Sequence, residues 1–298
     1  MAIDTSNLEN RSILGGHLTP VVVVGGEVLF SDGATSSVQL VDESGVAYGV
    51  PNVNNKPRIS SMPYLYDIAE GNISDHEAVR RYGYNTDVAA ALETVYTVSN
   101  LKTYLTAAER LQVKSTDTDD DGSPAGNGAR TVTVYGLDAN YAEINETVTM
   151  NGTTNVTTDA SFLRVSSIEV ATAGTTGYNE GTITVSNNAG AIILAQIRAQ
   201  INISHGAFYT VPAGHTLYVT QAMATESSSK GCRFEFWVRP FGGLWGMQRS
   251  IVLIDSSIVV PMTVPMKVPE KSDVEIRAYA ILAGAIVTAG FEGWIEED

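Results

Sequence analysis

The sequence predicts a mainly β protein: an antiparallel β-sandwich or jelly-roll with a small N-terminal β arm and one or two short helices. Three observations carry that expectation. Runs such as Thr131-Val132-Thr133-Val134-Tyr135 and Glu143 to Met150 alternate apolar and polar side chains, the period of a half-buried strand. Gly and Asn clusters separate the runs, at Gly136 to Asn140, at Asn151-Gly152 and at Asn187-Asn188, as many short strands joined by turns require. The chain has 298 residues and is 44% hydrophobic, enough to bury a large core without covalent staples.

The elements follow in order. In residues 1–60, Pro20 to Val24 ends at Gly25-Gly26, and Glu27 to Phe30 ends at Ser31-Asp32-Gly33. These predict two short strands around a glycine turn, with Val38 to Val41 as a third. The segment is small and polar, so we expect an arm or module that gains stability by docking. Residues 61–100 form a connector with the best helix candidate: Ser74 or Asp75 would cap a helix over His76 to Tyr82, stopped by Gly83. Residues 101–200 are expected to form a β-sandwich part, with alternating runs through Phe162 to Val165, Ile168 to Val170 and Thr182 to Val185. Residues 201–298 hold about eight further runs and fit a jelly-roll; 101–298 is readable as one domain. Arg233 to Arg239 sets aromatics on one face and charges largely on the other, which predicts one packed and one wet side. Pro261, Pro265 and Pro269 predict edges and joints, because proline cannot donate to a sheet ladder.

The charge balance is acidic, with 18 Lys and Arg against 33 Asp and Glu, net −15. Nucleic acid is therefore excluded as a partner, since phosphate contacts need cations. No run approaches the ~20 apolar residues of a membrane span, and Met1 to Thr5 does not open a signal peptide. The single cysteine, Cys232, predicts a buried small hydrophobe.

Few motifs carry chemistry. The four histidines are widely separated, and neither a nucleophile elbow nor a phosphate loop occurs. Asp117-Thr118-Asp119-Asp120-Asp121-Gly122 matches the opening of a calcium loop, in which alternate carboxylates such as Asp117, Asp119 and Asp121 curl around a hard cation. The match stops at its twelfth position, Gly128, where such a loop needs Glu. A solvated hairpin loop is the competing expectation; no other cofactor is implied. Phe241, Leu244, Trp245 and Met247 sit in an apolar loop with three glycines. Exposed aromatics are costly in water, so this loop predicts burial against the fold or against another subunit. With Val21, Val23, Leu29 and Phe30 of the arm, these residues are the candidate interface.

Tyr64 to Ser74, Arg81 to Val88, Gly128 to Tyr141, Tyr209 to Gly214 and Pro269 to Ala278 together resemble virion structural proteins of tailed bacteriophages. The resemblance spans roughly residues 64–298 and implies a jelly-roll or sandwich subunit, often trimeric, with no catalytic motif to transfer. It implies a non-enzymatic virion component assembled in a host cytoplasm. Within that class the expectation is a capsid decoration or cement protein that binds the major capsid protein. The alternative is a tail or baseplate component that contacts the host surface, with exposed aromatics as a glycan platform.

Overall fold

The structure is a computed structural model that describes residues 64–298 and, before them, only six short strands. The chain divides into two compact units, Met1–Tyr66 and Asp67–Asp298. In the first, β1 (Thr19–Val24) pairs antiparallel with β2 (Glu27–Ser31), β3 (Leu40–Val41) with β4 (Ala47–Tyr48), and β5 (Asn52–Val53) with β6 (Lys56–Pro57). Val21 and Val23 lie on β1, and Leu29 and Phe30 on β2; their side chains fall outside the described residues.

After a one-turn helix α1 (Tyr64–Ala69), the second unit is built entirely from strands. Its first body uses β7 (His76–Val88) and β8 (Glu93–Thr94). The segment between residues 94 and 208 then departs into a second body, made of β9 (Glu109–Lys114), β10 (Ala129–Leu137), β11 (Glu143–Thr149), β12 (Val156–Phe162), β13 (Arg164–Ala173), β14 (Ile183–Asn187) and β15 (Ile193–Ile197). The chain rejoins the first body with β16 (Phe208–Thr210), β17 (His215–Glu226), β18 (Cys232–Arg239), β19 (Gly246–Leu253), β20 (Ser256–Val268), β21 (Asp273–Ala280) and β22 (Ala285–Glu297).

The first body is a jelly-roll. One sheet runs β20-β17-β22-β7 and the other β16-β21-β18-β19, with β8 beside β21. β8 pairs with Arg277 and Ala278, while β16 pairs with Asp273 to Glu275. The two short strands thus lie end to end along β21 as halves of one jelly-roll strand. The core between the sheets is built from Leu217, Val219, Phe234, Ile276, Val287 and Phe291 among others. The inserted body is a second sandwich, of sheets β11-β10-β13 and β12-β9-β14-β15, around Leu111, Val132, Phe162, Ile168 and Ile183. All pairings are antiparallel. No helix among the described residues is long and apolar enough to cross a membrane.

Two expectations are corrected here. The helix over His76 to Tyr82 is instead the first half of β7, so the 61–100 stretch supplies jelly-roll strands rather than a connector. Asp75 takes a left-handed φ of 63° and turns the chain rather than capping a helix. Gly83 is not a helix stop. A Cβ on it would overlap the Val95 carbonyl oxygen and lie 2.6 Å from the Ala207 nitrogen, so glycine is required where the insert's two ends cross β7. The prolines behave as expected: Pro261 and Pro265 lie in β20, an edge strand. Cys232 is buried and free, and burial pushes its thiol up to about 12.

Candidate assembly surface

Strands β18 and β21 pair so that Arg239 meets Asp273, Trp237 meets Glu275 and Glu235 meets Arg277. Alternation sends Phe234, Phe236, Val274 and Ile276 into the jelly-roll core. The opposite face therefore collects every charge on both strands. Apart from the exposed Arg233, that face is not wet, contrary to the sequence expectation. Glu235, Asp273, Glu275 and Arg277 are all buried: Arg164 of the insert reaches Asp273, Thr94 reaches Glu275, the Trp237 indole reaches Glu235, and the rings of Trp237 and Trp245 lie on Arg277.

The cover is held by ionic and hydrogen bonds. Asp273 accepts from Arg164 Nε of the insert (2.9 Å), from Arg239 Nε (3.0 Å) and from Thr210 Oγ1 (2.6 Å). Arg164 also donates to the carbonyls of Leu105 and Leu163. Glu275 accepts from Thr94 Oγ1 and Arg277 Nε, both at 2.8 Å. Lys102, at the start of the insert, is buried; it donates to the Leu194 carbonyl (2.8 Å) and stands 3.8 Å from the Phe208 ring centre. Burial lowers the Lys102 ammonium to about 7, with Glu275 pulling the other way. Burial, then Glu275, raises the Tyr104 hydroxyl well above its usual value. Such pairs fix one geometry between two bodies rather than adding much net stability.

This seam positions the apolar loop that follows β18. The Trp245 ring sits 4.3 Å from the Arg277 guanidinium and 4.9 Å from that of Arg239. Arg239 and Arg164 also stand over Tyr104, at 4.8 and 4.9 Å. Cations and rings alternate here, each contact worth about 0.5–2 kcal/mol. Trp245 is thereby half-buried and engaged inside the fold. Its loop neighbours are not: Leu244 is 90% exposed, Phe241 is 64% exposed, and Met247 is also exposed. Phe241 has one edge-on aromatic neighbour, Tyr141, at 5.6 Å. Of the four loop residues singled out from sequence, the fold uses Trp245 and leaves the other three facing outward.

The loop leads directly into β19 and β20, the free edges of the two jelly-roll sheets on the same side. They carry exposed Val252, Val259 and Val264, the last 81% exposed, with Ile254 in the turn between them. A cleft of about 250 Å³ opens between the sheets there, lined by Ala222, Phe234, Phe236, Ile251 and Met262, with Arg249 at its rim. Sequence reasoning placed an edge at Pro261 and Pro265, as β20 has it, but missed β19 and this cleft. Apolar residues on a strand announce a buried face, and nothing local reveals that the strand is an edge.

The Asp117–Asp121 loop has a different geometry from the one its spacing suggested. The Asp117 carboxylate accepts from Asp119 N (2.9 Å), and that of Asp121 accepts from Ser123 N (2.8 Å). These are local turn bonds. Asp120, which the calcium pattern skips, is the buried one: it accepts from the backbone nitrogens of Ala129, Glu180 and Gly181 at 2.7–2.9 Å. Among the described residues no group of three or more His, Cys, Asp or Glu side chains stands so as to hold a metal ion.

No family model matches the chain, and no curated protein matches it. Among solved structures the chain is similar to one of the infectious bursal disease virus Gt strain: 10% identity, 79% of this chain, 87% of that chain, TM-score 0.15. One of the Gx strain gives 12% identity over 78% and 76%, TM-score 0.18. A VP2 subviral particle of the same virus gives 10% identity over 79% and 86%, TM-score 0.12. These are chains of virus particles, and at such scores the likeness carries no argument about this one.

Proposed function

We propose that the chain is a non-enzymatic structural protein of a virus particle, and within that class a decoration or cement protein that binds the outer shell and bridges major capsid subunits. The observation behind this reading is that Phe241, Leu244 and Met247 stand exposed in and beside one loop, with Val252 and Val264 exposed on the two edge strands that follow it. Large apolar side chains exposed on a loop and on the sheet edges next to it in the chain fit a protein partner. The segments that resemble tailed-phage virion proteins supply the setting: a phage particle surface, reached after assembly in the host cytoplasm. A protein that binds only the assembled shell stabilises that shell by mass action. The loop Phe241 to Met247 would close a homotrimer, and residues 19–30 would anchor on the shell. The glycan-binding alternative is less favoured, because the Trp245 ring it would present is engaged by Arg239 and Arg277.

The test is occupancy on purified particles, read by electron microscopy and gel densitometry. Leu244→Asp with Phe241→Asp, and separately removal of residues 1–60, should each leave particles bare. Full occupancy in both would overturn the reading.

A further inference from the structure

The two free edges beside the cleft are not equivalent. β20 is a poor partner for an added strand. Pro261 and Pro265 lack the N–H that a ladder needs. Its pairing with β17 also jumps from Met266–Val219 to Pro261–Gln221, so residues 262–265 bulge out of register. Prolines and bulges are how sheet edges are kept from pairing. β19 has neither. Its eight residues, Gly246–Leu253, pair regularly with β18 except for one shift near Trp237, and among the described residues no strand lies on its other side.

The chemistry of a partner follows from the side chains of β19. Ile251 lies opposite Phe234 and Arg249 opposite Phe236, so Arg249 stands on the inner, cleft-facing side of the strand. Among the described residues no ion-pair partner within reach holds it. An inward charge on an edge strand deters an all-apolar strand, which would bury the guanidinium unpaired. It favours a strand that brings a carboxylate to that position. Self-pairing does not, because Gly246 to Leu253 contains no Asp or Glu. The neighbouring acid, Glu235, is already engaged by Arg233 and by the Trp237 indole N–H.

We propose that β19 is a strand-receiving edge, which takes an extended segment of a neighbouring protein whose inner side chains are apolar except for one carboxylate set against Arg249. The segment's main chain would extend the β16-β21-β18-β19 sheet, and its apolar side chains would fill the 250 Å³ cleft against Phe234, Phe236 and Met262. This is sheet-edge recognition, with affinity from main-chain bonds and choice from alternate side chains. It deepens the assembly reading and rests on it.

The test uses the full chain and fluorescein-labelled decapeptides of alternating valine and threonine. One peptide carries glutamate at a central valine position, one lysine there, and one a proline beside the glutamate. Fluorescence anisotropy should show the glutamate peptide binding at least ten-fold more tightly than the lysine or proline peptide. Arg249→Glu, a change at an exposed side chain, should reverse the order of the first two. Equal binding of all three peptides, no saturation by millimolar peptide, or indifference to Arg249→Glu would overturn the proposal. So would a dimer of the chain that Arg249→Glu dissociates. A chain that occupies particles yet ignores the peptides retires this inference alone and leaves the assembly reading standing.

Discussion

Asp273 joins two sandwiches through one carboxylate: Arg164 comes from the insert, and Arg239 and Thr210 from the jelly-roll. Removing one member of a buried ionic group leaves the others unpaired in a poor solvent for charge. Asp273→Ala should therefore lower unfolding stability by about 3–5 kcal/mol, read as a shift in the urea midpoint. Replacing the group wholesale by apolar residues should cost far less. Lys102 gives a pH prediction. Its ammonium is lowered from 10.5 to about 7 by burial, so between those values the unfolded chain binds more protons than the folded one. Stability from this group then rises with pH across that window, and the full penalty applies below it. Lys102→Met should raise the melting temperature at pH 7 and flatten its rise toward pH 10 in calorimetry. The alternation that builds this seam is visible in Asp273-Val274-Glu275-Ile276-Arg277. Its burial is not, because Arg164 lies 109 positions away and sequence does not say what covers a face.

Among the elements, β7 shows where local signals mislead. Ala78, Val79, Arg80 and Arg81 suit a helix, yet the segment pairs along its length with β22. Cross-strand partners outweigh weak local preference. The glycine that looked like a stop serves a close crossing instead. Gly83→Ala drives a methyl into the Val95 oxygen, and should destabilise by about 3 kcal/mol through overpacking. Loss of soluble yield and a lowered chemical-denaturation midpoint would register it. Turns were more legible: Gly152, Gly177 and Gly214 all take positive φ, at turns the sequence marks. Of the candidate surface, the loop Phe241 to Met247 was legible from its unusual glycine-apolar composition. The prolines of β20 marked it as an edge, but nothing marked β19, since the rank of a proline-free strand in its sheet depends on distant pairings.

At the scale of the whole molecule, the sequence conveyed the β class and the jelly-roll but not that one jelly-roll strand is interrupted by a second sandwich. That second body has its own core and departs and returns at one spot, where Tyr96 bridges to Gly206. Segments with those properties fold on their own. A fragment spanning residues 99–204 should give a β-type circular dichroism spectrum and a cooperative melt. The remaining jelly-roll, joined by a short Gly-Ser link, should fold with a lower melting temperature, because Asp273 and Glu275 lose their cover. Light scattering on the full chain reads the proposed trimer directly, and a monomer at high concentration argues against loop closure.

The adjacency of Tyr96 and Gly206 has a practical meaning for engineering the chain. A graft of comparable footprint, an enzyme or an epitope, could stand in place of residues 99–204 while β19 keeps its pairing with β18, whereas the loop at Leu244 would lose the rings of Tyr104 and Tyr141 that stand against Trp245 and Phe241. Such a carrier would show its cargo beside the loop, and the graft would have to supply rings in place of Tyr104 and Tyr141.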